Sequence, residues 1–431
     1  MPPLASQQSG QAYWRSVEHA AGSARIDALL ADEFAHYDPD ELAGMPRRRF
    51  LKLMAASMAL AGLTLTGCRR WPQEQLAPYT HRPDGRLPGR AERYATVMEL
   101  AGVGAGVLAT SYDGRPIKIE GNPQHPYSLG ATSSLAQASV LDLYDPARSR
   151  TPMRRGADGQ QMTQRWSDAL AALTAHFESL REGNGEGFVV LSEASSSLAT
   201  AALRDRLEQS LPAMRWLEYE PLGRDNELAG ADSAFGQIVR THLHLDRAQI
   251  IVSLEADLLA GHPASLRYAR DWAAGRRAAD GIAGQQRMNR MYAFESAYSL
   301  TGASADMRVP IPSATIASVA QAVLSMLRTG AYPSFASALF SAYEHVALRQ
   351  TVDALVRDLQ AHRGRSVVVA GAGQPGEVHA LAHVINHELG NFGSTVTFTP
   401  EPHADRLSHA GAIMDLSRLM KAGKVSTLLM L

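Results

Sequence analysis

The sequence predicts an α/β fold: parallel, doubly wound sheets joined to an amino-terminal β-hairpin region and preceded by a signal segment. Three observations carry this. Beyond residue 150, short apolar runs alternate with stretches of helical apolar spacing, the pattern of repeated strand–helix units. One run, 249–254, contains Ile250, Ile251, Val252 and Leu254 without alternation, as a strand buried on both faces does. Around Asp113-Gly114 the pattern differs: Ile117 and Ile119 alternate with Lys118 and Glu120, and 106–112 alternates small with bulky residues. That is a two-faced antiparallel pair with a φ > 0 turn.

Composition narrows the function classes. The 431 residues amount to roughly three domain lengths. Hydrophobic content of 45% and charged content of 20% are globular values. Lys+Arg of 42 against Asp+Glu of 43 leaves a net charge of −1, so no bulk field gathers nucleic acid, which is excluded as a partner. The single cysteine, Cys68, allows neither a disulfide framework nor a protein-only iron–sulfur site.

Residues 1–44 form a polar, acidic extension, with Trp14, Val17, Ile26, Leu29 and Leu30 striping a helix over 13–33. Residues 45–68 have the build of a twin-arginine export signal. Arg47, Arg48 and Arg49 precede Phe50, Leu51 and Lys52, and the uncharged run 53–65 is too short for a span of ~20 residues. The alternative, a short buried helix, would set cations against the helix dipole. Cys68 closes Leu65-Thr66-Gly67-Cys68, a lipobox-like end that makes it a lipidation candidate or, alternatively, an inert small residue. Residues 69–93, rich in Pro, Arg and Gly, are a linker.

Residues 94–150 are the hairpin segment: a strand over 94–100, the hairpin, then a stiff loop from Gly121-Asn122-Pro123 through His125-Pro126. Residues 151–431 are the α/β part. Helices are expected over 166–181, 198–211, 263–276, 316–327, 343–359, 378–389 and 412–421, and strands over 188–191, 214–219, 249–254, 291–295, 366–370, 395–398 and 425–431. Ligands of such sheets lie at the strand carboxyl ends. The last strand stops inside an apolar run at Leu431, the mark of a truncated product.

The words GRPIKIEGNPQHP (114–126) and QASVLDLYDPAR (137–148), with the displaced twin-arginine leader and Tyr13-Trp14-Arg15-Ser16, carry a resemblance over nearly the whole chain. The chain resembles the molybdopterin oxidoreductases, and within them the iron–sulfur/molybdopterin-like B subunits of alternative complex III, a quinol-oxidising respiratory assembly. Catalytic relatives hold a cluster on cysteines around such a hairpin, whereas here 128–134 is Ser-Leu-Gly-Ala-Thr-Ser-Ser. The resemblance implies a scaffold that binds no cofactor of its own and has no catalytic residue, with molybdopterin left open. It further implies iron–sulfur clusters in a missing ferredoxin-like part or a partner. Expected partners are membrane quinol-oxidising subunits, cytochrome c subunits and, during export, the twin-arginine translocase. The expected place is the periplasmic face of the cytoplasmic membrane.

Other constellations allow other chemistry. Gly371, Gly373 and Gly376 fit GxGxxG after a strand and before a helix, and Glu401 lies where an acid would hold a ribose, so a nicotinamide dehydrogenase is one alternative. A truncated catalytic molybdopterin oxidoreductase, similar to the polysulfide reductases, is another. Asp257, Glu295 and Ser296 are then the polar candidates at strand ends, although nothing marks any of them as a metal ligand. His379, His383 and His387 share a helix face but lack HExxH and a third defined ligand type, so ordinary buried or surface histidines are expected and no metal site is assigned. Ser195, Ser196 and Ser197, beside Glu193, suit either a phosphate at a helix start or simple capping, with capping preferred.

Overall fold

The computed structural model describes residues 89–100, 102–277, 288–401, 406 and 408–431, all within the unit Pro88–Leu431. The expected extension helix, the signal residues Arg47, Arg48, Phe50, Leu51 and Lys52, and Cys68 lie outside the described residues.

Strands β1 (Glu92–Leu100), β2 (Val103–Tyr112) and β3 (Arg115–Gly121) form an antiparallel sheet in that order. Asp113 and Gly114 take φ of 48° and 82°, the two-residue turn whose twist suits paired strands. The chain then closes on itself. Gly121 is a glycine because a Cβ there would overlap the Ala131 carbonyl, and the Ser128 hydroxyl, 1% exposed, bonds the carbonyls of Gly106 (2.8 Å) and Asn122 (3.1 Å). Ser133 caps the short helix α1 (Ser134–Ala138). A two-stranded hairpin, β4 (Met153–Arg155) and β5 (Gln161–Thr163), follows; its polar three-residue arms escape any apolar pattern.

The α/β part begins with α2 (Trp166–Glu182), β6 (Phe188–Ser192), α3 (Leu198–Ser210), β7 (Arg215–Glu218) and α4 (Asp225–Phe235). Next come β8 (Val239–Leu243), β9 (Ile250–Leu254), α5 (Ser265–Ala274), β10 (Arg290–Glu295), α6 (Leu300–Ser304) and β11 (Met307–Pro310). It ends with α7 (Ile316–Thr329), α8 (Ala336–Ala342), α9 (Leu348–Ala361), β12 (Ser366–Ala370), α10 (Gly376–Glu388), β13 (Val396–Pro400), α11 (His409–Lys421) and β14 (Thr427–Met430).

Two separate parallel sheets result. One has the order β11-β10-β9-β12, the other β14-β6-β7. The strand expected over 395–398 joins neither: β13 pairs antiparallel with β8. The reason is its face chemistry. Thr397 and Thr399 bond His244 (2.9 Å) and His242 (2.8 Å), so the pair has a polar side, which a strand buried in a parallel sheet cannot have. β8 itself, Val-Arg-Thr-His-Leu, is too polar to be recognised alone. The helix expected over 343–359 is also interrupted, because Ala347 takes φ 52° and α9 begins after it.

Period-two alternation divides the core of the four-stranded sheet. Ile250, Val252, Leu254, Tyr292 and Phe294 pack under α7, α9 and α10, while Ile251, Met291 and Val367 face Tyr268 of α5 and the β8–β13 pair. The outer edge of β12 is satisfied by side chains. Asn386 accepts from Val368 N (3.0 Å) and donates to Val368 O (2.6 Å), and the Thr395 hydroxyl donates to Ser366 O (2.5 Å).

Candidate functional site

β9 sits between β10 and β12, and the chain leaves it on one side and returns on the other. The carboxyl ends of β9 and β12 therefore flank the switch point, where a doubly wound sheet opens a ligand crevice. Glu255, the first residue past β9, has φ 60°, a backbone conformation that side-chain-bearing residues rarely adopt. Its carboxylate accepts hydrogen bonds from Ser296 N (3.1 Å), the Ser296 and Ser313 hydroxyls, and Gln374 Nε2 (2.6 Å). Those donors come from the loops after β10, β11 and β12, so one carboxylate ties together the ends of all four strands. Partial burial raises its pKa, but the bonds from Ser296, Ser313 and Gln374 outweigh this and hold it below the ordinary carboxylate value.

Alongside lies a cavity of about 240 Å³, walled by Arg224, Glu227, Thr241, His262, His379 and His383 among others. The Arg224 guanidinium grips Glu227 through Nε (2.8 Å) and Nη2 (2.5 Å). Burial pushes the Glu227 carboxyl up, yet the Arg224 charge and hydrogen bonds bring it below the usual range. His262 Nδ1 accepts from Ala264 N (2.9 Å), which places the neutral ring's proton on Nε2. Burial holds His262 at about 4, and burial plus the neighbouring His379 hold His383 at about 4. The cavity wall thus carries the Arg224–Glu227 ion pair, the Glu255 carboxylate and imidazoles that are neutral at pH 7.

A pH dependence follows. Unfolded imidazoles titrate near ~6.5, so between that value and the folded value of about 4 the unfolded chain binds more protons. Stability is full above the upper limit and falls as pH drops through the window, by up to about 3 kcal/mol for each imidazole. Urea titrations at pH 7 and pH 5 check this, and His383→Gln is expected to flatten the difference.

The glycine motif has packing reasons. Gly371 N bonds Leu254 O (2.9 Å), and a Cβ on Gly371 would overlap the Glu255 carbonyl oxygen. Gly373 has no close neighbour, and Gly376 sets α10 against Ala229 and Gly230 of α4. Glu401 is not brought to these glycines through the sheet. It lies just past β13, in a bidentate pair with Arg240 (2.9 and 2.8 Å). His379 and His383 are 5% and 6% exposed, whereas His387 is exposed, carried round by the drift of about 40° for every four helical residues.

The remaining candidates are engaged in the fold. Asp257 accepts from the Thr301 hydroxyl (2.8 Å) and Gly261 N (3.0 Å), Glu295 from Arg308 (2.5 Å) and the Ser299 hydroxyl (2.6 Å), and Ser296 donates to Glu255. At the carboxyl end of β6, Ser197 caps α3 through Thr200 N (3.3 Å), as capping predicts. The anion before that helix is internal: Glu99 of β1 accepts from the Ser195 hydroxyl (2.8 Å), the Ser196 hydroxyl (2.7 Å) and Ser196 N. Sequence reasoning missed Glu99, Gln374, Asn386 and the Arg224–Glu227 pair. Only Glu227, three residues after Arg224 on a helix, left a local signal.

No protein-family model matches the chain. The menaquinone reductase, molybdopterin-binding-like subunit of Nitratidesulfovibrio vulgaris is 27% identical over 184 residues, 42% of this chain and 26% of that protein. A sulfite dehydrogenase subunit of Allochromatium vinosum is 25% identical over 122 residues, 27% of this chain and 13% of that protein. The probable oxidoreductase YoaE of Bacillus subtilis is 30% identical over 83 residues, 19% and 12% of the two chains. The matched part is about a quarter or less of the length of each relative. Among solved structures, acetylene hydratase from Pelobacter acetylenicus superposes over 73% of this chain and 47% of its own, with TM-score 0.49 and 14% identity. The homologues of this chain are molybdopterin-binding oxidoreductase-like proteins.

Proposed function

We propose that the chain belongs to the molybdopterin-like subunit of a membrane-associated quinol-oxidising respiratory complex, alternative complex III. There it serves as a cofactor-free scaffold on which neighbouring iron–sulfur and haem subunits pass electrons. Likeness to a subunit named for menaquinone reductase supports the respiratory setting, and the twin-arginine motif at Arg47-Arg48 supports the periplasmic face. No helix among the described residues is long and apolar enough to cross a membrane. Attachment in this reading is through partner subunits or Cys68.

One observation carries the scaffold reading: the chain's own side chains occupy the hairpin loop and the donor set around Glu255. A cluster near 121–134 needs thiolates, but the loop is built on the buried Ser128 hydroxyl and its carbonyl partners. At the switch point Ser296, Ser313 and Gln374 are bonded to Glu255 and so are not available to a dinucleotide's phosphates, while the cavity beside them keeps Arg224, the unpartnered Thr241 hydroxyl and His379 Nε2. The cluster does not fit the residues present, since 121–134 contains no cysteine. The cavity with Arg224 and its imidazoles favours a second reading, a catalytic molybdopterin oxidoreductase. Affinity purification of the tagged protein from solubilised membranes tests the scaffold reading. Co-purification with a c-type cytochrome and a cysteine-rich iron–sulfur protein is expected; recovery of the tagged protein without either contradicts it.

A further inference from the structure

We infer that Glu255 is a resident anion of the switch point: its carboxylate takes the place of a ligand's phosphate, and an external oxyanion binds there only after that carboxylate is removed. The inference rests on the scaffold reading and supplies its physical cause.

The geometry is that of an anion site already filled. Donors converge on one point from three separate loops: the Ser296 amide and hydroxyl, the Ser313 hydroxyl and the Gln374 amide. Gln374 is 1% exposed, and its amide nitrogen also touches the Ser313 hydroxyl (2.9 Å), so its direction is fixed before any ligand could arrive. Glu255 carries that carboxylate from a backbone at φ 60°, a conformation natural to glycine. An incoming phosphate would meet a fixed negative charge within bonding distance of every donor it needs, which excludes it by charge and by volume.

The second parallel sheet repeats the device. At the carboxyl end of β6, Glu99 lies against the Ser195 and Ser196 donors before α3 and fills the corresponding position. Two unrelated segments, a strand end and an antiparallel sheet, thus deliver a glutamate to the two carboxyl edges where α/β sheets hold anions.

The test is titration calorimetry of the full chain with inorganic pyrophosphate and with inorganic phosphate. The unaltered chain is expected to show no saturable binding. Glu255→Gly keeps the left-handed backbone and frees all the donors, so it is expected to bind pyrophosphate at least about tenfold more tightly than the unaltered chain, with a Kd on the order of 1 mM or below. Glu255→Ala is expected to do the same where it folds, and Glu255→Gln, which keeps the volume, is expected to bind less than either. Binding by the unaltered chain equal to that of Glu255→Gly overturns the inference, as does a folded Glu255→Gly that binds nothing. Should the variants not fold, ¹³C NMR of the unaltered chain decides: a Glu255 carboxyl that stays ionised below the ordinary carboxylate range supports the inference, and ordinary titration overturns it. Failure here leaves the scaffold reading standing, whereas molybdenum in the unaltered protein would sink that reading whatever the variants bind.

Discussion

Asn386→Leu is expected to destabilise the chain by about 3–5 kcal/mol, because a side chain of similar size would leave several buried polar groups without partners. Asn386 is 2% exposed, and its amide meets Val368 N (3.0 Å), Val368 O (2.6 Å), Ala382 O (2.9 Å) and Asn391 Nδ2 (2.9 Å). It stands in for the missing neighbour of an edge strand. Each orphaned group costs about 1–3 kcal/mol, and Val368 contributes both its N–H and its C=O. Asn391 would lose an anchor as well, and it holds the Ser366 hydroxyl (3.1 Å) at the start of β12. A shift of the urea midpoint with an unchanged slope is the expected signature. A loss below about 1 kcal/mol would mean that the edge finds other partners, water among them.

Glu227→Leu is expected to cost about 3–5 kcal/mol, since it abandons the Arg224 cation in the cavity wall. The two side chains, Arg224 and Glu227, are 18% and 14% exposed, so water screens the charge poorly. The double change Arg224→Met with Glu227→Leu removes both charges, and its expected cost is smaller, about 0–2 kcal/mol. A double variant more stable than Glu227→Leu alone is therefore the diagnostic, read from a double-mutant cycle in denaturant. A double variant that loses the sum of the single losses would show that the two residues act independently.

Both effects lie where one sequence is least informative. The strands of the four-stranded sheet were legible because Ile250 to Leu254 and Arg290 to Glu295 bury nearly every side chain, and burial on both faces leaves an apolar run. The turn at Asp113-Gly114 was legible because few residue pairs accept two positive φ angles. β8 and the antiparallel placement of β13 were not, since their polar partners, such as His244 with Thr397 and Arg240 with Glu401, lie more than 150 positions apart. The site followed the same rule. Its position at strand carboxyl ends came from the α/β pattern, and Asp257, Glu295 and Ser296 were visible there as polar candidates. The role of Glu255 was hidden, because its four donors come from loops that only the fold brings together. The GxGxxG string shows the converse: its letters were legible, whereas the close backbone approach of Gly371 and the helix packing of Gly376 are seen only in the fold.

The claim that this chain is a platform without a cofactor of its own is tested most directly by quantifying molybdenum, iron and released pterin in the purified polypeptide, separated from its partners under native conditions. The expected result is all three far below one per chain. One molybdenum with its pterin per chain, or a cluster's iron retained by the isolated polypeptide, would contradict it.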